Sequence, residues 1–129
     1  MARIASPLII AAFLASTGSA IADDLYRGTW TDKDRPVPVI LTLQPASYPG
    51  DPAGEIRFGQ PWACGLKLEF SGASEQKRIY SFVDAGAGAC MALTLGYFQS
   101  VAADGGLEVE FFNQKQVSQQ KVLLKLVPQ

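Results

Sequence analysis

The chain has 129 residues, 48% of them hydrophobic and 18% charged, which is enough apolar material for one packed domain and too much for a disordered or collagen-like chain. Its formal charge of −1 provides no basic field to attract nucleic acid or anionic lipid. Histidine is absent, so the commonest general base, the commonest metal ligand and every imidazole triad are missing.

Residues 1–22 read as a cleaved secretory signal. Met1-Ala2-Arg3 gives a positive start, Pro7 to Ala15 an apolar stretch, and Ala20-Ile21-Ala22 a small-x-small site before Asp23. A membrane span needs about 20 apolar residues, and here Ser16-Thr17-Gly18-Ser19 interrupts first. No cysteine follows the cleavage point to carry a lipid. The expectation is a single domain over 23–129, periplasmic or secreted, without stable membrane insertion.

From there the sequence alternates short apolar runs with Gly, Pro, Asp and Ser, the pattern of antiparallel strands. No stretch reads as a helix. Tyr26 to Thr31 opens the series and carries Gly28-Thr29-Trp30. Asp32 to Arg35 then reads as a charged turn; its Asp-x-Asp lacks the glycine and distal glutamate of a calcium loop. Val37 to Leu43 is the second strand. Gln44 to Gly54 is a loop rich in proline and glycine, with Tyr48 inside it, and Glu55 to Phe58 is the third strand. Gln60-Pro61-Trp62 places a second aromatic in a connection.

The clearest alternation is Cys64 to Phe70, where Cys64, Leu66, Leu68 and Phe70 share one face and Gly65, Lys67 and Glu69 the other. Ser71-Gly72-Ala73 and Asp104-Gly105-Gly106 are read as tight hairpin turns. Between them, Arg78 to Asp84 and Met91 to Phe98 are expected strands, although Cys90 has the wrong parity for the second: it lies before that strand or a bulge intervenes. Gly86-Ala87-Gly88 precedes no helix and is not a phosphate loop. Leu107 to Phe111 and Val122 to Leu126 complete about eight strands. Sequential hairpins of this kind predict an all-β, antiparallel up-and-down meander, closed or nearly closed into a small barrel because closure removes exposed edges. A two-sheet sandwich is the alternative. Bulky inward Leu, Phe and Met predict a barrel filled by its own side chains.

Cys64 and Cys90 are the only cysteines, and an even count in an oxidising compartment reads as one disulfide. Gly28-Thr29-Trp30 is similar to the Gly-x-Trp opening of lipocalins, avidins and small secreted bacterial protease inhibitors with lipocalin-like barrels. That resemblance implies that the tryptophan plugs the closed end of a barrel; the polar biotin-site residues of avidins are not reproduced by Thr31-Asp32-Lys33. Gly54 to Phe58, Cys64 to Leu68, Tyr80-Ser81-Phe82, Cys90 and Asp104 to Leu107 together resemble a two-cysteine β domain of exported bacterial proteins, which implies the same architecture and a Cys64–Cys90 pair.

No catalytic residue, metal site or cofactor is expected. Glu108 and Glu110 sit on the polar face of one strand, where solvation accounts for them. Tyr48 and Trp62 are candidate protein-binding residues, because aromatics in connections bring large contact area with little rotamer entropy; the competing reading has Trp62 capping the barrel mouth and Tyr48 packing its own loop. These features imply a non-catalytic exported binding protein, an inhibitor or immunity-type factor whose partner is another protein in the envelope or outside the cell. A binder of small apolar ligands in the barrel interior is the alternative, distinguished by a pocket of roughly 300 Å³ or more.

Overall fold

A computed structural model describes residues 23–129; the expected signal over 1–22 lies outside the described residues. Eight antiparallel strands follow one another as a meander and close into a barrel. They are β1 (Asp24–Asp32), β2 (Arg35–Leu43), β3 (Pro52–Phe58), β4 (Cys64–Ser74), β5 (Lys77–Phe82), β6 (Tyr97–Ala103), β7 (Gly106–Phe112) and β8 (Ser118–Leu126). The barrel therefore replaces the sandwich alternative, and the period-two pattern of the sequence has its physical cause in one wall face turned to the core and one to water.

Because the strands alternate in direction, the connections sort onto two ends. One end carries the Lys33-Asp34 turn, residues 59–63, the long segment 83–96 and residues 113–117. The other carries the loop 44–51, the turns at Glu75-Gln76 and Asp104-Gly105, and the beginning of β1 with the end of β8. We call these the plugged end and the mouth.

At the plugged end the interior is aromatic. Trp30 packs with ring centroids 5.8 Å from Phe58, 5.3 Å from Trp62 and 5.1 Å from Phe111. The segment 83–96 lies at the same end and contributes Leu93, which is fully buried in the core. Cys64 at the start of β4 is bonded to Cys90, with Cα atoms 6.1 Å apart, so the expected disulfide fastens this segment to the barrel wall.

The strand expected over Met91 to Phe98 is corrected here. Residues Gly88–Leu93 form a 3-10 helix, and the strand runs from Tyr97 to Ala103. Cys90 thus precedes the strand, which explains its parity. The absence of any helix is corrected by the same six residues. A second correction concerns Ser71-Gly72-Ala73. β4 continues through it to Ser74, the register shifts between Phe70 and Gly72, and the turn comes at Glu75-Gln76. Gly72 has φ 145°, so its freedom serves a bulge within the strand rather than a hairpin tip.

The barrel closes where β1 meets β8, through Tyr26 with Leu126 and Arg27 with Lys125. Gly28 lets the two strands approach: a Cβ there would lie 2.5 Å from Leu124 Cδ2 and 2.8 Å from the Leu123 carbonyl oxygen. Further along, the Gln120 side chain takes over from the backbone ladder. Its Oε1 accepts the Thr31 N–H at 2.8 Å and its Nε2 donates to the Thr31 carbonyl at 2.9 Å.

Candidate ligand-binding cup

The core residues do not fill the barrel to its mouth, contrary to the expectation of a fully packed interior. Toward that end Ser100 follows the much larger Phe98 on β6, and the inward Leu107 of β7 and Tyr26 of β1 are only half-buried. A half-open cup of about 470 Å³ remains, lined by Asp24 and Tyr26 of β1, Leu43 of β2, residues 44–47 of the following loop, Arg78 and Tyr80 of β5, Ser100 and Leu107.

Arg78 stands on its lip. Its Nε donates to the Tyr80 hydroxyl oxygen at 2.9 Å and its Nη2 to the Ala46 carbonyl at 2.8 Å. The guanidinium carbon lies 4.4 Å from the Phe70 ring centroid, which orients the flat cation over an aromatic face. Below it, Tyr80 and Ser100 are each 3% exposed. The Tyr80 hydroxyl accepts from Arg78 and keeps its own proton to donate. The Ser100 hydroxyl has only a long 3.5 Å contact to the Arg78 carbonyl. Burial, followed by the charge of Asp24 and the nearby Tyr80, raises the pKa of Tyr26, so this third hydroxyl on the wall stays protonated further into the alkaline range.

The loop 44–51 that forms one side of the cup is fixed by a carboxylate. Asp51 Oδ2 accepts the Tyr48 N–H at 3.0 Å and the Ser47 N–H at 3.1 Å, while Gly50 N–H donates to the Phe70 carbonyl and Phe70 N–H to that of Asp51. The amides of Tyr48 and then Ser47 hold the Asp51 carboxyl below its ordinary value. The lowered pKa gives this loop a stabilising contribution that is complete above the ordinary carboxylate value and lost as pH falls through the lowered one. In an NMR titration the Ser47 and Tyr48 amide resonances are expected to move together, at a pH below that of a free aspartate. Independent movement would show that the two bonds do not share one carboxylate.

The two aromatic candidates do not share a surface. Tyr48 sits at the mouth and is 74% exposed, so it does not pack its own loop. Trp62 lies at the other end of β3, in the connection that contains the cis Gln60–Pro61 peptide. There it packs 4.9 Å from Phe58 between ring centroids, and its Nε1–H donates to Asp32 Oδ2 at 3.0 Å. Trp62 thus helps to cap the plugged end beside Trp30. Asp32 is engaged by that bond, Glu110 accepts the Ser118 hydroxyl at 2.7 Å, and among the described residues no cluster of acidic or cysteine side chains is arranged to hold a metal.

Arg78, Tyr80 and Ser100 were not singled out from sequence. The available signal was parity: a serine at an inward position on β6, opposite an arginine that lies two residues before a tyrosine on β5, marks a polar layer inside an apolar wall.

The fold and this site define a small closed β-barrel with one end plugged and the other hollow. No family model, curated protein or solved structure matches the chain. Among the described residues no helix is long and apolar enough to cross a membrane.

Proposed function

We propose that this is a non-catalytic binding protein of the exported space, and that it receives a small ligand in the mouth cup. The observation that carries the reading is the half-open volume of about 470 Å³, within the range of ligand pockets, where apolar Leu43, Pro45 and Leu107 share the wall with the polar Asp24, Arg78 and Ser100. The signal-like residues 1–22 and the Cys64–Cys90 disulfide support an oxidising destination outside the cytoplasm. The chain has no histidine, and the hydroxyl–carboxylate pair of Ser118 and Glu110 is exposed rather than set in a cleft, which supports binding over turnover.

Native mass spectrometry of the protein purified from envelope extract tests this. A bound species is expected in the wild type and should disappear when Leu107→Trp fills the cup, with the melting temperature little changed. A wild type that carries nothing, or a species that survives the Leu107→Trp change, would remove the cup as the binding site.

A second reading, a protein-binding inhibitor or immunity-type factor, is favoured by one observation: the exposed Tyr48 ring stands on a loop already fixed by Asp51, so little ordering entropy opposes docking there. If that reading holds, Tyr48→Ala weakens capture of the partner protein by about 2 kcal/mol, near thirtyfold, and leaves folding unaffected.

A further inference from the structure

We propose that Arg78, with the buried hydroxyls of Tyr80 and Ser100, forms an anion-binding site, and that the cup takes a small monocarboxylate with a compact apolar body. This rests on the reading of the cup as a ligand site and names the ligand's chemical class. Three features of the lip converge on it.

First, the guanidinium has no carboxylate partner: the one ion pair among the described residues joins Arg57 to Glu55 on the outer wall. Two of its nitrogens are engaged by neutral oxygens, Tyr80 Oη and Ala46 O, which fixes its plane without neutralising its charge. Nη1 has no protein partner among the described residues. A carboxylate meeting that edge gains charge-assisted hydrogen bonds from a group that is already oriented.

Second, Tyr80 and Ser100 are buried hydroxyls on the same wall. Tyr80 already accepts from Arg78 and therefore has a proton to give, and Ser100 is at best weakly bonded to the backbone. Buried donors without good acceptors are costly, and an anionic oxygen in the cup satisfies them.

Third, the remainder of the lining sets the ligand's other end. Leu43, Leu107 and the ring of Tyr26 face the same volume, which suits an apolar body. Asp24 also lies on the lip and opposes a second negative charge, so a monoanion is selected over a phosphate ester or a dicarboxylate.

The probes are 1-naphthoate and its neutral isostere naphthalene-1-carboxamide, titrated at neutral pH into the isotopically labelled protein and followed by amide chemical shifts. The expected result is saturable movement of Ala46, Tyr80 and Ser100 with naphthoate, at an affinity about tenfold or more above that for the carboxamide. Arg78→Gln should erase the preference, Arg78→Lys should keep part of it, and Asp24→Asn should increase it. Equal binding of the two probes in the cup, or a preference for the carboxamide, overturns the anion site while leaving the cup as a ligand site. No binding of either probe, or shifts confined to the plugged end around Met91 and Leu95, overturns both. Should Arg78→Gln fail to fold, the comparison of the two probes on the wild type decides alone.

Discussion

Trp30→Ala is expected to cost about 3–5 kcal/mol of folding stability, measured by urea denaturation, because a large buried aromatic is removed where the barrel cannot collapse around the gap. Trp30 is 7% exposed and meets Phe58, Trp62 and Phe111 at ring-centroid distances of 5.1 to 5.8 Å. A domain has about 5–15 kcal/mol in all, so this one change should bring the protein near unfolding. Trp30→Phe, which keeps a ring in the cluster, should lose much less. A cost for Trp30→Ala within the surface range of about 0.5 kcal/mol would mean that the plugged end is loosely packed. The expectation is specific to that end, since the cup residues have open volume beside them and a truncation there adds to a space that already exists.

The second large effect is that of the disulfide. Replacing Cys64 and Cys90 together by alanine should cost about 3.5 kcal/mol on the chain-entropy estimate for the 26-residue separation. The loss should be distributed unevenly. Segment 83–96 is held by the Cys64–Cys90 bond, by the Gly86 N–H donated to Thr94 Oγ1 at 2.8 Å and by the inserted Leu93. Without the bond, amide exchange should accelerate first around Gly88–Leu93, ahead of the strands. Uniform acceleration through the barrel would show instead that the bond acts only on the unfolded chain.

The strands were legible in the sequence because each buries one face, and alternation such as Leu66-Lys67-Leu68-Glu69-Phe70 has no other economical explanation. Their ends were less so. β3 begins at Pro52 rather than Glu55 because Ala53, a small residue with no strand signal of its own, is fully buried against the wall. Met91, Leu93 and Leu95 alternate correctly for a strand, yet only Leu93 is buried while Met91 and Leu95 are exposed; the covalent tie at Cys90 and the turn after it override the pattern. Ser71-Gly72-Ala73 has turn composition, but Ser81 pairs with Ser71 through their hydroxyls and the ladder continues past the bulge.

The site was harder to see than the fold. Tyr48 is conspicuous as an aromatic among prolines and glycines, whereas Trp62, equally conspicuous, is spent on the plugged end. Arg78 meets Tyr80 two residues along its own strand and Phe70 on the paired strand β4, which the hairpin alone brings together. Its contact with Ala46, from the loop after β2, depends on the tertiary fold. The hollow itself depends on how far the side chains of several strands reach, which period and composition do not encode.

The seam between β1 and β8 has a consequence for the order in which the chain acquires its shape. Every other seam joins neighbours in sequence, the widest gap being the segment 83–96 between β5 and β6, whereas this one brings together segments separated by nearly the whole described chain. Its closure therefore carries the largest loop entropy and the slowest search. It is also the seam with the least backbone pairing, supplemented by Gln120 clasping Thr31. A curled, open sheet of hairpins is the natural predecessor of the closed barrel, and Gln120 acts as a latch set after the ring has come round. The mouth, whose walls include Tyr26 from β1 and Leu107 from β7, takes its final outline only with that last step.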